Sequence, residues 1–97
     1  MSIPGQPAAA RPGTAQIESR LREALQPLEI AVLDDSALHA GHAGAREGGH
    51  YTVRLRSERF SGLPRVARHR LVYDALASFM PGGIHALAID ARAPDEP

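Results

Sequence analysis

The sequence predicts one α+β domain, with two helices covering one face of a three-stranded sheet in the order α-β-β-α-β. Two stretches repeat apolar residues at helical spacing: Ile17, Leu21, Ala24, Leu25 and Leu28, then Val66, His69, Val72, Ala75 or Leu76, and Phe79. Three shorter stretches alternate with the period of a strand. Turn residues (Pro27, Asp34-Asp35-Ser36, Gly62 and Pro81-Gly82-Gly83) separate these segments. Two amphipathic helices need a surface to cover, and a small sheet is the simplest one.

Each element has a local reason. Thr14 is the expected N-cap of a helix over 15–26, in which Glu18 and Arg22 pair at i, i+4 and Pro27 forbids continuation. Leu28 to Leu33 is the first strand, with Leu28, Ile30 and Val32 alternating against Glu29, Ala31 and Leu33. Ala37 to Gly49 contains four glycines and reads as a long, flexible loop. His50 to Ser57 is the second strand, with Tyr51, Val53 and Leu55 inward and Thr52, Arg54 and Arg56 outward. Strands one and two form an antiparallel hairpin. Glu58 to Gly62 is a tight turn, with Phe60 as its apolar anchor and Gly62 as its structural close.

Pro64 suits the first turn of a second helix over 65–80, which stops at Pro81-Gly82. The third strand runs from Ile84 to Ala91. Simple alternation puts Ile84, Ala86, Ala88 and Asp90 on one face and His85, Leu87 and Ile89 on the other. The domain is expected over 14–92. Residues 1–13 hold three prolines and no apolar periodicity, so they are expected to be a disordered tail, and 93–97 a flexible one.

Composition excludes several classes of function. The chain of 97 residues contains no cysteine, which rules out disulfides and any metal site built from its own thiolates. No stretch approaches the ~18 apolar residues of a membrane span, and the N-terminus lacks the apolar core of a secretory signal. A cytoplasmic location is expected. No serine sits in a G-x-S-x-G elbow, no glycine motif cradles a phosphate, and Asp34 and Asp35 are adjacent, so they point to opposite faces. The chain is not expected to be an enzyme.

Two features can carry binding. His85 lies at the mouth of the third strand, and His39, His42 and His50 lie in or beside the glycine-rich loop. A strand-end imidazole facing a histidine-bearing loop can form an open metal site; the plainer alternative is a set of surface histidines. His50, opening a strand, reads as a brace for the loop, and His69, on the apolar stripe of the second helix, as a satisfied core histidine.

The second feature is charge. The formal net charge is zero, yet the stretch from Arg54 to Arg70 holds six arginines against Glu58 alone. Arg54, Arg56, Arg65, Arg68 and Arg70 can meet phosphates or an acidic partner, or form a solvated face. No helix-turn-helix pattern is written here, and the turn after Phe60 lacks the G-x-x-G of a single-strand-binding loop.

Four blocks, in order along the chain, resemble the BolA family. His50-Tyr51 resembles its H-F/Y strand opening, and Ser57 to Gly62 its S-x-R-F-x-G turn. Arg68 to Tyr73 resembles its R-H-R-x-I/V-Y helix, and Ile84 to Ile89 its I/V-H-A-L strand. The resemblance covers residues from Thr14 to Arg92 and implies a fold related to the type II KH domain. It also implies a [2Fe–2S] cluster shared, as a heterodimer, with a monothiol CGFS-type glutaredoxin and its glutathione, and absent from the isolated protein.

In the family, the strand histidine, here His85, is a ligand. A second ligand comes from the loop before strand two: Cys in one branch and His in the other, which this cysteine-free chain resembles. Asp34 to His39 sits in the family's D-x-S-x-x-H frame, favouring His39, with His42 the alternative. Two imidazoles on one iron make the site Rieske-like and raise its potential by removing negative charge. The second line of function the family implies is DNA binding and transcriptional control through the basic helical region. Alone, the chain is expected to be a monomer or a weak homodimer through a strand edge.

Overall fold

The computed structural model describes residues 12–36 and 49–97. The expected loop and its His39 and His42 lie outside the described residues, as does most of the expected N-terminal tail.

The elements are α1 (Thr14–Leu25), β1 (Glu29–Asp34), β2 (Gly49–Arg56), α2 (Arg65–Ala75) and β3 (Ile84–Arg92), with short 3-10 turns at Glu58–Phe60 and Ala77–Phe79. The predicted order is the observed one. At the start of α1 Gly13, not Thr14, is the N-cap; the Gln16 Oε1 accepts from the Gly13 N–H at 2.7 Å, so Thr14 falls inside the first turn. Gln26 closes the helix in the left-handed region at φ 47°, and its N–H donates to the Arg22 carbonyl before Pro27 turns the chain away.

α2 is shorter than expected. It ends at Ala75, and after Leu76 the chain tightens into the 3-10 turn Ala77–Phe79. Its buried stripe is also rotated from the predicted one. Val72 and Leu76 are fully buried, whereas Val66 is 71% exposed. The stripe runs back from Leu76 and Val72 to Arg68 at i−4 spacing, which puts a cation where the sequence pattern suggested Val66.

The sheet order is β1-β2-β3. β1 and β2 are antiparallel, with Val32 opposite Val53, and β2 and β3 are parallel, with Val53 beside Ile89. α2 lies in the crossover that parallel neighbours require. One face of the sheet packs on Ile17, Leu21 and Leu25 of α1 and Val72 and Leu76 of α2, through Tyr51, Val53 and Leu55, with Phe60 and Ile84 closing the core. The opposite face carries Leu33 (47% exposed), Thr52 and Arg54.

The turn after β2 is built as its motif suggests. Ser57 is fully buried; its Oγ donates to the Leu25 carbonyl at 2.6 Å and accepts from the Arg59 N–H. One hydroxyl thus ties the end of α1 to the start of the turn that inserts Phe60 into the core. Gly62 follows at φ +75°, the left-handed conformation that favours glycine there. Tyr51 reaches the other way, its hydroxyl donating to the Pro12 carbonyl at 2.7 Å inside the fold.

Two substitutions test this packing by urea denaturation. Phe60→Ala is expected to cost about 3–5 kcal/mol, as for a buried aromatic removed without collapse. Tyr51→Phe, which strands the Pro12 carbonyl, is expected to cost about 1–3 kcal/mol. A loss below 1 kcal/mol for Phe60→Ala would contradict its place in the core.

Candidate metal centre

The strict alternation expected for β3 fails at one place, and that place is His85. Gly49 pairs with Ile84, but the next residue of β2, His50, pairs with Ala86. β3 therefore spends one extra residue, His85, in a bulge. The parity shift explains the burial. Ile84 sits in the core, His85 and Ala86 are exposed, and Leu87 and Ile89 return to the core side. Gly83 permits the tight approach, because a Cβ there would overlap the Phe79 carbonyl oxygen. Its own carbonyl accepts from the Gly49 N–H at 2.9 Å, locking the two strand starts together.

The bulge re-aims His85 toward β2. The His50 and His85 ring centroids lie 5.2 Å apart with the planes tilted by 46°. His85 is exposed, while His50 is half-buried with its Nε2 shielded from solvent. His50 is braced from the far side as well. Its N–H donates to Ser36 Oγ at 3.0 Å, and its carbonyl accepts from the Asp35 N–H at 2.7 Å. Ser36 in turn is folded back by its own N–H on Asp34 Oδ1, and Thr52 Oγ1 donates to Asp35 Oδ2. Asp34, Asp35 and Ser36 thus fix the point where the chain leaves β1 against the point where it enters β2.

His50 is held at this corner through its backbone N–H and carbonyl, and its imidazole is the ring that meets His85 among the described residues. The signal for that pairing was in the sequence. Parallel neighbours in one sheet need a crossover such as a helix, and the sequence places one between the strand that His50 opens and the strand that His85 opens. Among the described residues no group of three or more His, Cys, Asp or Glu gathers as a metal site. His69 is not in the core. It is half-buried at the mouth of a groove lined by Leu63, Arg65, Arg68 and Arg92.

The arginine surface divides. Arg54, Arg65 and Arg70 are exposed. Arg68 is not a free cation: its side chain is only 13% exposed. Its Nε donates to the Leu63 carbonyl at 2.8 Å and its NH1 to the Ala91 carbonyl at 3.1 Å, and the fork holds Glu96 at 2.5 and 2.9 Å. Arg56 pairs with Glu29 at 3.1 Å and donates to the carbonyls of Ala93 (3.0 Å) and Glu96. The segment after Arg92, expected to be loose, is therefore bonded to the domain through its backbone carbonyls and through the Glu96 carboxylate. The Arg68 hydrogen bond, helped by the Ala93 N–H, holds the Glu96 carboxyl at about 2, well below its ordinary range.

Comparison with known proteins adds a family. The model for BolA-like protein matches residues 21–96. A Sinorhizobium protein described as an uncharacterized protein in the cobS 5' region is 41% identical over 87 residues, covering 87% of this chain and 94% of that one. Human BolA-like protein 1 is 43% identical over 86 residues, covering 89% of this chain and 61% of its own length. Among solved structures, the BolA domain of SufE1 from Arabidopsis thaliana superposes with a TM-score of 0.74 at 42% identity, over 84% of this chain and 91% of that domain.

The tail contact has a pH signature. Because the folded-state pKa of Glu96 is depressed, its stabilising bond is complete above the ordinary carboxylate value of 4.5 and is lost as pH falls toward about 2. Following the Glu96 side-chain carbon by NMR should therefore show titration near the bottom of that window. Titration in the ordinary range would mean that the carboxylate is not held by Arg68.

Proposed function

The chain belongs to the BolA-like family, and on that premise we propose that it is a non-enzymatic adaptor in iron–sulfur cluster assembly or trafficking. It shares a [2Fe–2S] cluster, as a heterodimer, with a monothiol CGFS-type glutaredoxin and glutathione. The observation that carries this reading is the meeting of His50 and His85, 5.2 Å between centroids, at the open end of the sheet. Two imidazoles that share one tetrahedral metal ion stand with their centroids roughly 5 Å apart, and the His50–His85 spacing matches that separation.

His85, exposed on its bulge, is the ligand an incoming partner meets first. His50 is the second by position, its backbone held by Ser36 and Asp35 at the start of β2. His39 and His42 compete for that place. His39 lies three positions beyond Ser36 in the sequence, and such a length of chain spans at most about 11 Å. The remaining ligands are thiolates that a chain without cysteine leaves to its partner and to glutathione. When bound, the cluster supplies one-electron chemistry at a potential raised by its neutral imidazole ligands. The alternative, DNA binding by the Arg54–Arg70 surface, has less support, because Arg56 and Arg68 already hold carboxylates of their own chain.

Anaerobic mixing with a CGFS-type glutaredoxin, glutathione, iron and sulfide, read by visible absorption and by EPR after reduction, tests the reading. A one-to-one complex with a spectrum distinct from that of the glutaredoxin homodimer is expected, lost in His85→Ala. The same mixture with His50→Ala, His39→Ala and His42→Ala names the second ligand, and His50 is the one expected. An unchanged homodimer spectrum with the unmodified chain would rule the shared site out.

A further inference from the structure

Arg68 occupies an unusual position for a surface cation. It sits on the buried stripe of α2, and two backbone carbonyls, Leu63 and Ala91, fix its guanidinium from behind. Neither carbonyl belongs to the C-terminal segment. The fork that faces outward is therefore oriented by the domain alone, and it presents the planar donor pair that suits a carboxylate or phosphate. The Ala93 N–H converges on the same point, donating to Glu96 Oε1 at 2.7 Å. Ala93 itself is buried at the end of β3.

From these contacts we propose that Arg68 and the Ala93 N–H form a preformed oxyanion socket, and that Glu96 is its intramolecular plug, exchanged for a carboxylate or phosphate that a binding partner carries. The exchange has a second consequence. Arg56 donates to the carbonyls of Ala93, Pro94 and Glu96, yet it is also oriented by Glu29 at 3.1 Å. Release of residues 94–97 thus uncovers two guanidiniums that are both already oriented.

The approach suits an anion. Arg65, His69 and Arg92 line the groove beside Arg68, and the other carboxylate there, Asp90, is engaged by Arg92 at 2.8 Å. Withdrawal of Glu96 leaves the groove net positive. A plug three residues from Ala93 acts at the high effective concentration of a short tether, so an external oxyanion competes poorly until it is presented by a docked partner or the plug is removed. This groove lies at the opposite end of the sheet from the histidine pair.

The test is an NMR titration of the full chain, of Glu96→Ala and of Glu96→Gln with sodium phosphate and, separately, sodium acetate, at constant ionic strength set by chloride. The Arg68 Nε–H and Ala93 amide signals are the readout. In Glu96→Ala both signals should shift saturably, at anion concentrations at least about tenfold lower than in the unmodified chain. The tighter anion identifies whether carboxylate or phosphate is the natural occupant. Adding Arg68→Lys to Glu96→Ala keeps the charge but loses the fork and the Arg68 Nε–H signal, and it should abolish the saturable shift of the Ala93 amide. Glu96→Gln keeps an acceptor for Arg68 without the charge, and should show the same gain to a smaller degree. The proposal is overturned if these two signals respond no more in the variants than in the unmodified chain. It is equally overturned if both variants unfold, since Glu96 would then be a structural bond and not a plug.

Discussion

The parallel pairing of β2 with β3, with its single register shift, is the constraint on which the rest depends. It keeps Ile84 in the core, ejects His85, and sets that imidazole beside His50 at the shared start of the two strands. Without the extra residue, β3 would have to choose. Either Ile84 would lose its burial, or Leu87 and Ile89 would turn to solvent, because a one-residue slip reverses every side chain. The bulge lets the strand keep its apolar contacts at both ends and spend one residue on the site. That is the usual position of such irregularities: the fold tolerates a broken ladder where a side chain must be re-aimed.

The corner around this pair is held by hydrogen bonds that involve Asp34, Asp35, Ser36 and Gly83. Guanidinium contacts do the corresponding work elsewhere. At the far end of the sheet, Arg56 and Arg68 gather the chain after β3 through carbonyls and one carboxylate. The molecule therefore separates two kinds of binding potential. Imidazoles with a fixed backbone stand at one end of β2 and β3, and oriented guanidiniums stand at the other.

Much of the fold was legible because periodicity and punctuation agreed. Alternation in Tyr51, Val53 and Leu55 and the i, i+4 spacing of Ile17, Leu21 and Leu25 named the inward faces correctly, and Phe60 was visible as an apolar residue between turn signals. Of the readings that the structure corrects, three show the physical reason most plainly. Thr14 looked like a cap because Gly13 has no side chain to suggest one, whereas the cap is completed by Gln16 reaching back. Val66 looked buried because the stripe was counted on apolar residues alone; the true stripe includes Arg68, whose aliphatic stem lies inside while its fork finds carbonyls. The tail looked loose because proline and acidic residues read as punctuation, and nothing local reveals that Glu96 pairs with a residue 28 positions earlier. The family resemblance supplied His85, and the sheet topology, which two strands and a helix already implied, supplied its neighbour.

The most direct measurement is on the isolated protein: a search for inter-ring NOEs between the His50 and His85 imidazole protons in a sample labelled only at histidine. Rings whose centroids lie 5.2 Å apart should give clear cross-peaks, and these should vanish in His50→Ala. Absence of any contact between the two rings, in a protein whose core signals are intact, would mean that β2 and β3 do not bring these imidazoles together, and the site would have no second ligand in the framework of the fold.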